Sequence, residues 1–139
     1  MSVETLPLQV GDAIEETTRT PDPVDLFQFS AALWLIHRIH YDQQYTTEVE
    51  SHPAMPVHGP LQAVYMVQAV TRHVSRQRPG RRSLLVRYQF RHNAPAYVGD
   101  PITCGGTITA VDGDRLTVEV WAESAGRRTT VGDLDLLLR

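Results

Sequence analysis

Apolar residues recur along this chain with two periods, and the change from one to the other divides it. Residues 1–25 are mostly polar, with a Thr17-Thr18-Arg19-Thr20-Pro21-Asp22-Pro23 loop, although Leu6-Pro7-Leu8-Gln9-Val10 reads as an edge strand, the one place in a sheet that tolerates proline. From Leu26 the pattern turns helical: Phe27, Phe29, Ala31, Ala32, Leu33, Trp34, Leu35 and Ile36 give a wide apolar side, and Asp25 is placed to cap the start. This helix leads straight into the histidines, and if the segment Ser30 to Tyr41 is helical, His37 and His40 lie on one of its faces. Gln43 to Pro56 has the composition of a short helical turn followed by an irregular loop. A second helix runs from Leu61 to about Arg76, with Pro60 at its first position and Gly59 before it. Its first turns are apolar nearly all round, which predicts that other elements enclose it.

Beyond Arg78-Pro79-Gly80-Arg81 the period becomes two. Leu84, Val86, Tyr88 and Phe90 alternate with Leu85, Arg87, Gln89 and Arg91, predicting a strand with one buried and one polar face. Ile102 to Val111 reads as a strand with a bulge or close backbone approach at Gly105-Gly106. Asp112-Gly113 makes a hairpin turn into Leu116, Val118, Val120 and Ala122, Ser124-Ala125-Gly126 makes another, and Val131 to Leu138 is a last strand. Helix, long helix and antiparallel meander together predict a single α+β domain over residues 1–139 whose sheet covers one buried helix.

The chemistry concentrates between Phe29 and Leu61. Four of the six histidines lie there, and the stretch holds the signatures His37-Arg38-Ile39-His40-Tyr41-Asp42 and His58-Gly59-Pro60-Leu61. A three-residue spacing puts the His37 and His40 rings on one helical face. The start of a helix leaves backbone N–H groups unpaired, so Gly59 sits where a carbonyl or anionic oxygen can be held. Histidines beside an apolar helix also serve as hydrogen-bonded framework. His52, His73 and His92 lie on polar stretches and read as solvated. His37, His40, Asp42 and His58 form a mixed nitrogen and oxygen set, but their spacing matches no zinc pattern.

Composition narrows the classes. The formal charge is −3, and all 13 basic residues are arginine, so nothing marks a nucleic-acid surface. The lone Cys104 rules out an intrachain disulfide and a multi-thiolate metal site, and reads as a small buried strand residue. Arg81, Arg82, Arg87 and Arg91 read as a solvated sheet face. Met1 to Leu6 lacks a basic, apolar leader, and no apolar run approaches the ~20 residues of a membrane span, so a cytoplasmic location is expected.

Phe29-Ser30-Ala31-Ala32-Leu33-Trp34, the HRIHYD and HGPL motifs, and Phe90-Arg91-His92-Asn93-Ala94-Pro95-Ala96-Tyr97-Val98-Gly99-Asp100-Pro101 together resemble the MaoC-like (R)-hydratase/dehydratase family, most closely its mesaconyl-CoA-hydratase-like branch. The resemblance spans roughly Leu26 to Ile102. It implies the hotdog fold, addition or removal of water across the double bond of an acyl thioester of coenzyme A or a carrier protein, no cofactor or metal, and subunits paired as a homodimer or higher oligomer. It also implies His40 as the catalytic acid/base, the Gly59 N–H as the donor to the thioester oxygen, and His58 flanking that donor. Where the family carries aspartate, or in the nearest branch asparagine, this chain has Leu35. His37 then becomes the remaining acid/base or water-holding group, with Tyr41 and Asp42 behind it. Leu35 also leaves room for two other expectations: an isomerase or cyclase on the same fold, or a non-catalytic subunit that completes the site of a related chain.

Overall fold

The computed structural model describes residues 7–139, so residues 1–6, including Leu6 of the expected edge strand, lie outside the described residues. Pro7 to Val10 form no strand. Asp12 accepts the Gln9 N–H on its carboxylate, and the turn passes Gly11 at φ 95° before β1 begins at Ala13. The first strand is therefore β1 (Ala13–Arg19), seven residues later than the sequence pattern suggests.

Three helices follow: α1 (Pro23–Leu33), α2 (Gln43–Glu48) and α3 (Gly59–Gln77). The cap of α1 is Asp22, not Asp25. Asp22 Oδ1 accepts the Asp25 N–H and Asp25 Oδ2 accepts the Asp22 N–H, each at 2.9 Å, because Pro23, which has no N–H to satisfy, fits the first helical position. Only Leu26 and Ser30 of α1 are buried, so the wide apolar side expected for it is largely exposed in the single chain.

The strands β2 (Ser83–His92), β3 (Ile102–Asp112), β4 (Arg115–Ser124) and β5 (Arg127–Leu138) join β1 in one antiparallel sheet of order β1-β3-β4-β5-β2. The inner face, with Ile102, Ile108, Leu116, Val118, Val120, Leu134 and Leu136, closes over Met66, Ala69, Val70 and Val74 of α3. The sheet thus buries one long side of the helix, while Val64, Gln68 and Arg72 stay exposed, so the helix is not enclosed all round as its first turns predict. Gly105 allows the close approach expected there, since a Cβ would stand 2.5 Å from the Trp121 ring, while the register shift itself falls at Ile108/Ala110. Cys104 is buried, and burial pushes its thiol up to about 12, so it is inert as a nucleophile.

One expectation fails on β2. It is an edge strand, and Leu84, Leu85, Val86 and Tyr88 are all exposed, so neither face is buried within this chain. Its outer polar side is organised instead of merely solvated: Arg87 and Arg115 both pair with the buried Asp135, whose carboxyl is held down at about 2 by those two guanidinium groups.

Candidate active site

The histidine-rich stretch is not one helix. α1 stops at Leu33, Trp34 turns into the left-handed region at φ 53°, and the Leu35 N–H reaches back to the Ser30 carbonyl at 3.0 Å, a Schellman-type end. A non-glycine residue costs about 1–2 kcal/mol in that conformation. The chain re-forms as a single 3₁₀ turn over Arg38–His40. His37 and His40 therefore do not share an α-helical face; the tight turn brings their ring centroids to 6.3 Å.

Each side chain of this loop has an assignable task. His37 caps the turn by accepting the Ile39 N–H on Nδ1, leaving Nε2 for other contacts. Tyr41 donates its hydroxyl to the Ile36 carbonyl at 2.9 Å, which ties the loop and spends the proton that would otherwise reach a ligand. Asp42 caps α2 through the Tyr45 N–H and pairs with Arg38 at 2.7 Å, a framework role.

His40 donates its Nδ1–H to the Pro56 carbonyl at 2.7 Å, which fixes the tautomer and leaves a lone pair on Nε2. Burial lowers its pKa, opposed by the Pro56 hydrogen bond and aided by His37 and His52. The imidazole is consequently neutral near pH 7, the state a base needs. Its ring lies against His58, with centroids 3.8 Å apart and planes at 23°.

His58 is 1% exposed. Its Nε2 meets the Ser30 hydroxyl at 2.7 Å, its edge meets Phe29, and its Nδ1 has no partner among the described residues. Burial, then the neighbouring His40, brings its pKa down to about 4. Ser30 was not singled out in the sequence, yet it stands four residues after Leu26 on the buried stripe of α1, where a polar residue signals a buried partner.

No side chain caps α3 at His58. The Leu61 and Gln62 N–H groups bond the His58 carbonyl and Pro60 has none, so the Gly59 N–H is the one offered to a bound oxygen. Leu35, His37, His40, His58, Gly59 and Pro60 line one cleft of about 340 Å³. The sequence motifs thus meet in space, and Leu35 stands in the same cleft as an apolar wall.

Of the histidines read as solvated, His73 is not. His73 is buried and accepts the Glu15 N–H on Nδ1, joining α3 to β1. His92 is accessible but anchored: its Nδ1 lies 2.8 Å from Thr130 Oγ1, and a Cβ on Gly59 would stand 2.5 Å from its Nε2. Only the antiparallel register that carries the end of β2 past the start of α3 makes that contact, so spacing along the chain gives no hint of it. Among the described residues no cluster of three His, Cys, Asp or Glu side chains is arranged to hold a metal ion, and no helix is long and apolar enough to cross a membrane.

The sequence model of hydroxyacyl-thioester dehydratase type 2 matches residues 4–98. Mesaconyl-C(4)-CoA hydratase of Chloroflexus aurantiacus is 38% identical over 110 residues, 79% of this chain and 35% of that protein. The mitochondrial hydroxyacyl-thioester dehydratase type 2 of Schizosaccharomyces pombe is 30% identical over 83 residues, 60% of this chain and 26% of that protein. Among solved structures, an (R)-hydratase from A. caviae involved in PHA biosynthesis superposes with a TM-score of 0.84 at 19% identity, covering 95% of this chain and 98% of that one, and this likeness defines the fold as the hotdog fold. The chain belongs to the hydroxyacyl-thioester dehydratase type 2 family. It spans 35% and 26% of the lengths of these two curated relatives.

Proposed function

We propose that this protein is a lyase that hydrates enoyl thioesters, or dehydrates 3-hydroxyacyl thioesters, carried on coenzyme A or an acyl carrier protein. One observation carries the reading: His40 is locked by Pro56 with its Nε2 lone pair free, in the cleft where the uncapped Gly59 N–H begins α3. Dehydration requires removing a weakly acidic C2 proton while charge gathers on the thioester oxygen. His40 takes the proton and the Gly59 N–H holds the oxygen. His58, neutral and stacked on His40, keeps that ring in place. His37, at the rim, holds water or shuttles the proton outward, and Tyr41 supplies a ring to the adjoining apolar wall.

The names of the curated relatives, a hydratase and a dehydratase, support the same reaction class. The exposed apolar edge strand β2 supports pairing with a second copy, which would cover Leu84, Val86 and Tyr88 and continue the sheet. Mass spectrometry of the products formed from a panel of 3-hydroxyacyl and trans-2-enoyl thioesters tests the assignment. Gain or loss of one water is the expected change, and products isomerised without exchange of water would instead favour an isomerase.

A further inference from the structure

Leu35 is an apolar wall of the cleft that holds His40, and a base alone leaves the departing hydroxide without a proton. We infer that His92 fills that role, as the second acid/base group of the site. The inference rests on the reading of His40 and Gly59 given above.

Three observations place it there. His92 closes β2 directly opposite Thr130 in β5, and its Nδ1 meets Thr130 Oγ1 at 2.8 Å. Thr130 and Thr129 both donate to Gln62 Oε1, at 3.2 and 2.7 Å, and all three side chains are buried. The Thr130 proton is therefore committed to Gln62, its oxygen accepts the His92 Nδ1–H, and the His92 Nε2 is the nitrogen left to react. A buried polar chain of this kind is costly unless every member is satisfied. Here it serves to aim an exposed imidazole.

The aim is at Gly59. The Nε2 stands 2.5 Å from where a Cβ on that residue would be. A thioester oxygen on the Gly59 N–H brings C2 and C3 of the acyl chain within a few bonds of the same spot, within reach of the ring. His92 also ends an apolar groove of about 490 Å³ between α1, α3 and β2, lined by Leu33, Val64, Val67 and Tyr88. Pro60 walls both this groove and the His40 cleft, so the two imidazoles approach the start of α3 from adjoining spaces.

The step balances. Neutral His40 takes the C2 proton at Nε2, and the C–H pair forms the C2=C3 bond by way of the enolate held at Gly59. The C3–O bond breaks, and His92, protonated at Nε2, gives its proton to the hydroxide, which leaves as water. His40 ends protonated and His92 neutral; exchange with solvent resets both, and hydration runs the same path in reverse.

The test compares His92→Ala, His92→Gln and His40→Ala with the wild type on short, medium and long trans-2-enoyl-CoA thioesters. Glutamine donates a hydrogen bond from about the Nε2 position but transfers no proton. Both His92 variants are expected to lose about 10²–10⁴-fold in kcat with little change in KM, and added imidazole is expected to restore part of the alanine variant's activity. A fully active His92→Ala enzyme, or full rescue by glutamine, overturns the role of His92 while an inactive His40→Ala leaves the reading of His40 standing. A wild type without turnover on the whole panel sinks both together.

Discussion

His40 and His58 lie ring against ring, 3.8 Å between centroids, and only one of the two has its remaining nitrogen free toward the cleft. Two imidazoles in such contact resist double protonation, and burial acts in the same direction on each. The pair is neutral near pH 7, which makes His40 a base without any acidic neighbour.

This neutrality shows in stability. His58 binds a proton near 6.5 when unfolded and near 4 when folded, so between those values the unfolded chain holds more protons. Stability is therefore complete above the upper value, declines as pH falls, and has lost the whole contribution below the lower one. The shift corresponds to roughly 3 kcal/mol, and urea denaturation across this range measures it. His58→Gln is expected to flatten most of that dependence.

Gly59→Ala separates catalysis from folding. Alanine suits a first helical turn, and the ring its Cβ would strike is the exposed one of His92, which moves aside at the cost of its bond to Thr130. The thermal midpoint is expected to hold, while kcat/KM falls about 10²-fold as the approach to the backbone N–H closes and His92 is displaced. Loss of folding instead of activity would show that Gly59 serves the helix and not the oxygen.

Leu35→Asp returns a carboxylate to the cleft that holds His40. An opposite charge nearby favours imidazolium, so the His40 pKa is expected to rise by about one unit or more in an NMR titration. An unchanged titration would mean that position 35 does not address His40.

Much of this architecture can be read along the chain, because the long helix and the β3–β4–β5 meander obey local periods. Leu134, Leu136 and Leu138 alternate and are buried together, and the apolar residues Leu61, Met66, Val70 and Val74 of α3 form its buried side. The misreadings arise where long-range pairing outweighs local pattern. The Schellman-type end at Trp34 breaks an apolar run that looks helical, and β2 alternates as though half-buried yet stands at an edge. The motifs named His40, His58 and Gly59, but Pro56, Ser30 and His92 became visible only once strands and loops had met, since their partners lie 16, 28 and 38 residues away.

The edge strand yields its own prediction. Leu84, Val86 and Tyr88 leave an apolar row uncovered, with Tyr88 60% exposed. Sedimentation at micromolar concentration is expected to show a dimer, and the double substitution Leu84→Glu with Tyr88→Glu to shift it toward monomer. A monomeric wild type would leave this face without its second copy.

The most direct test of the central assignment is kcat/KM of His40→Ala beside wild type on a thioester that the wild type turns over. A loss of about 10²–10⁴-fold, with the fold intact by circular dichroism, is expected if the Nε2 left free by Pro56 is the base. Activity within about threefold of wild type would contradict it.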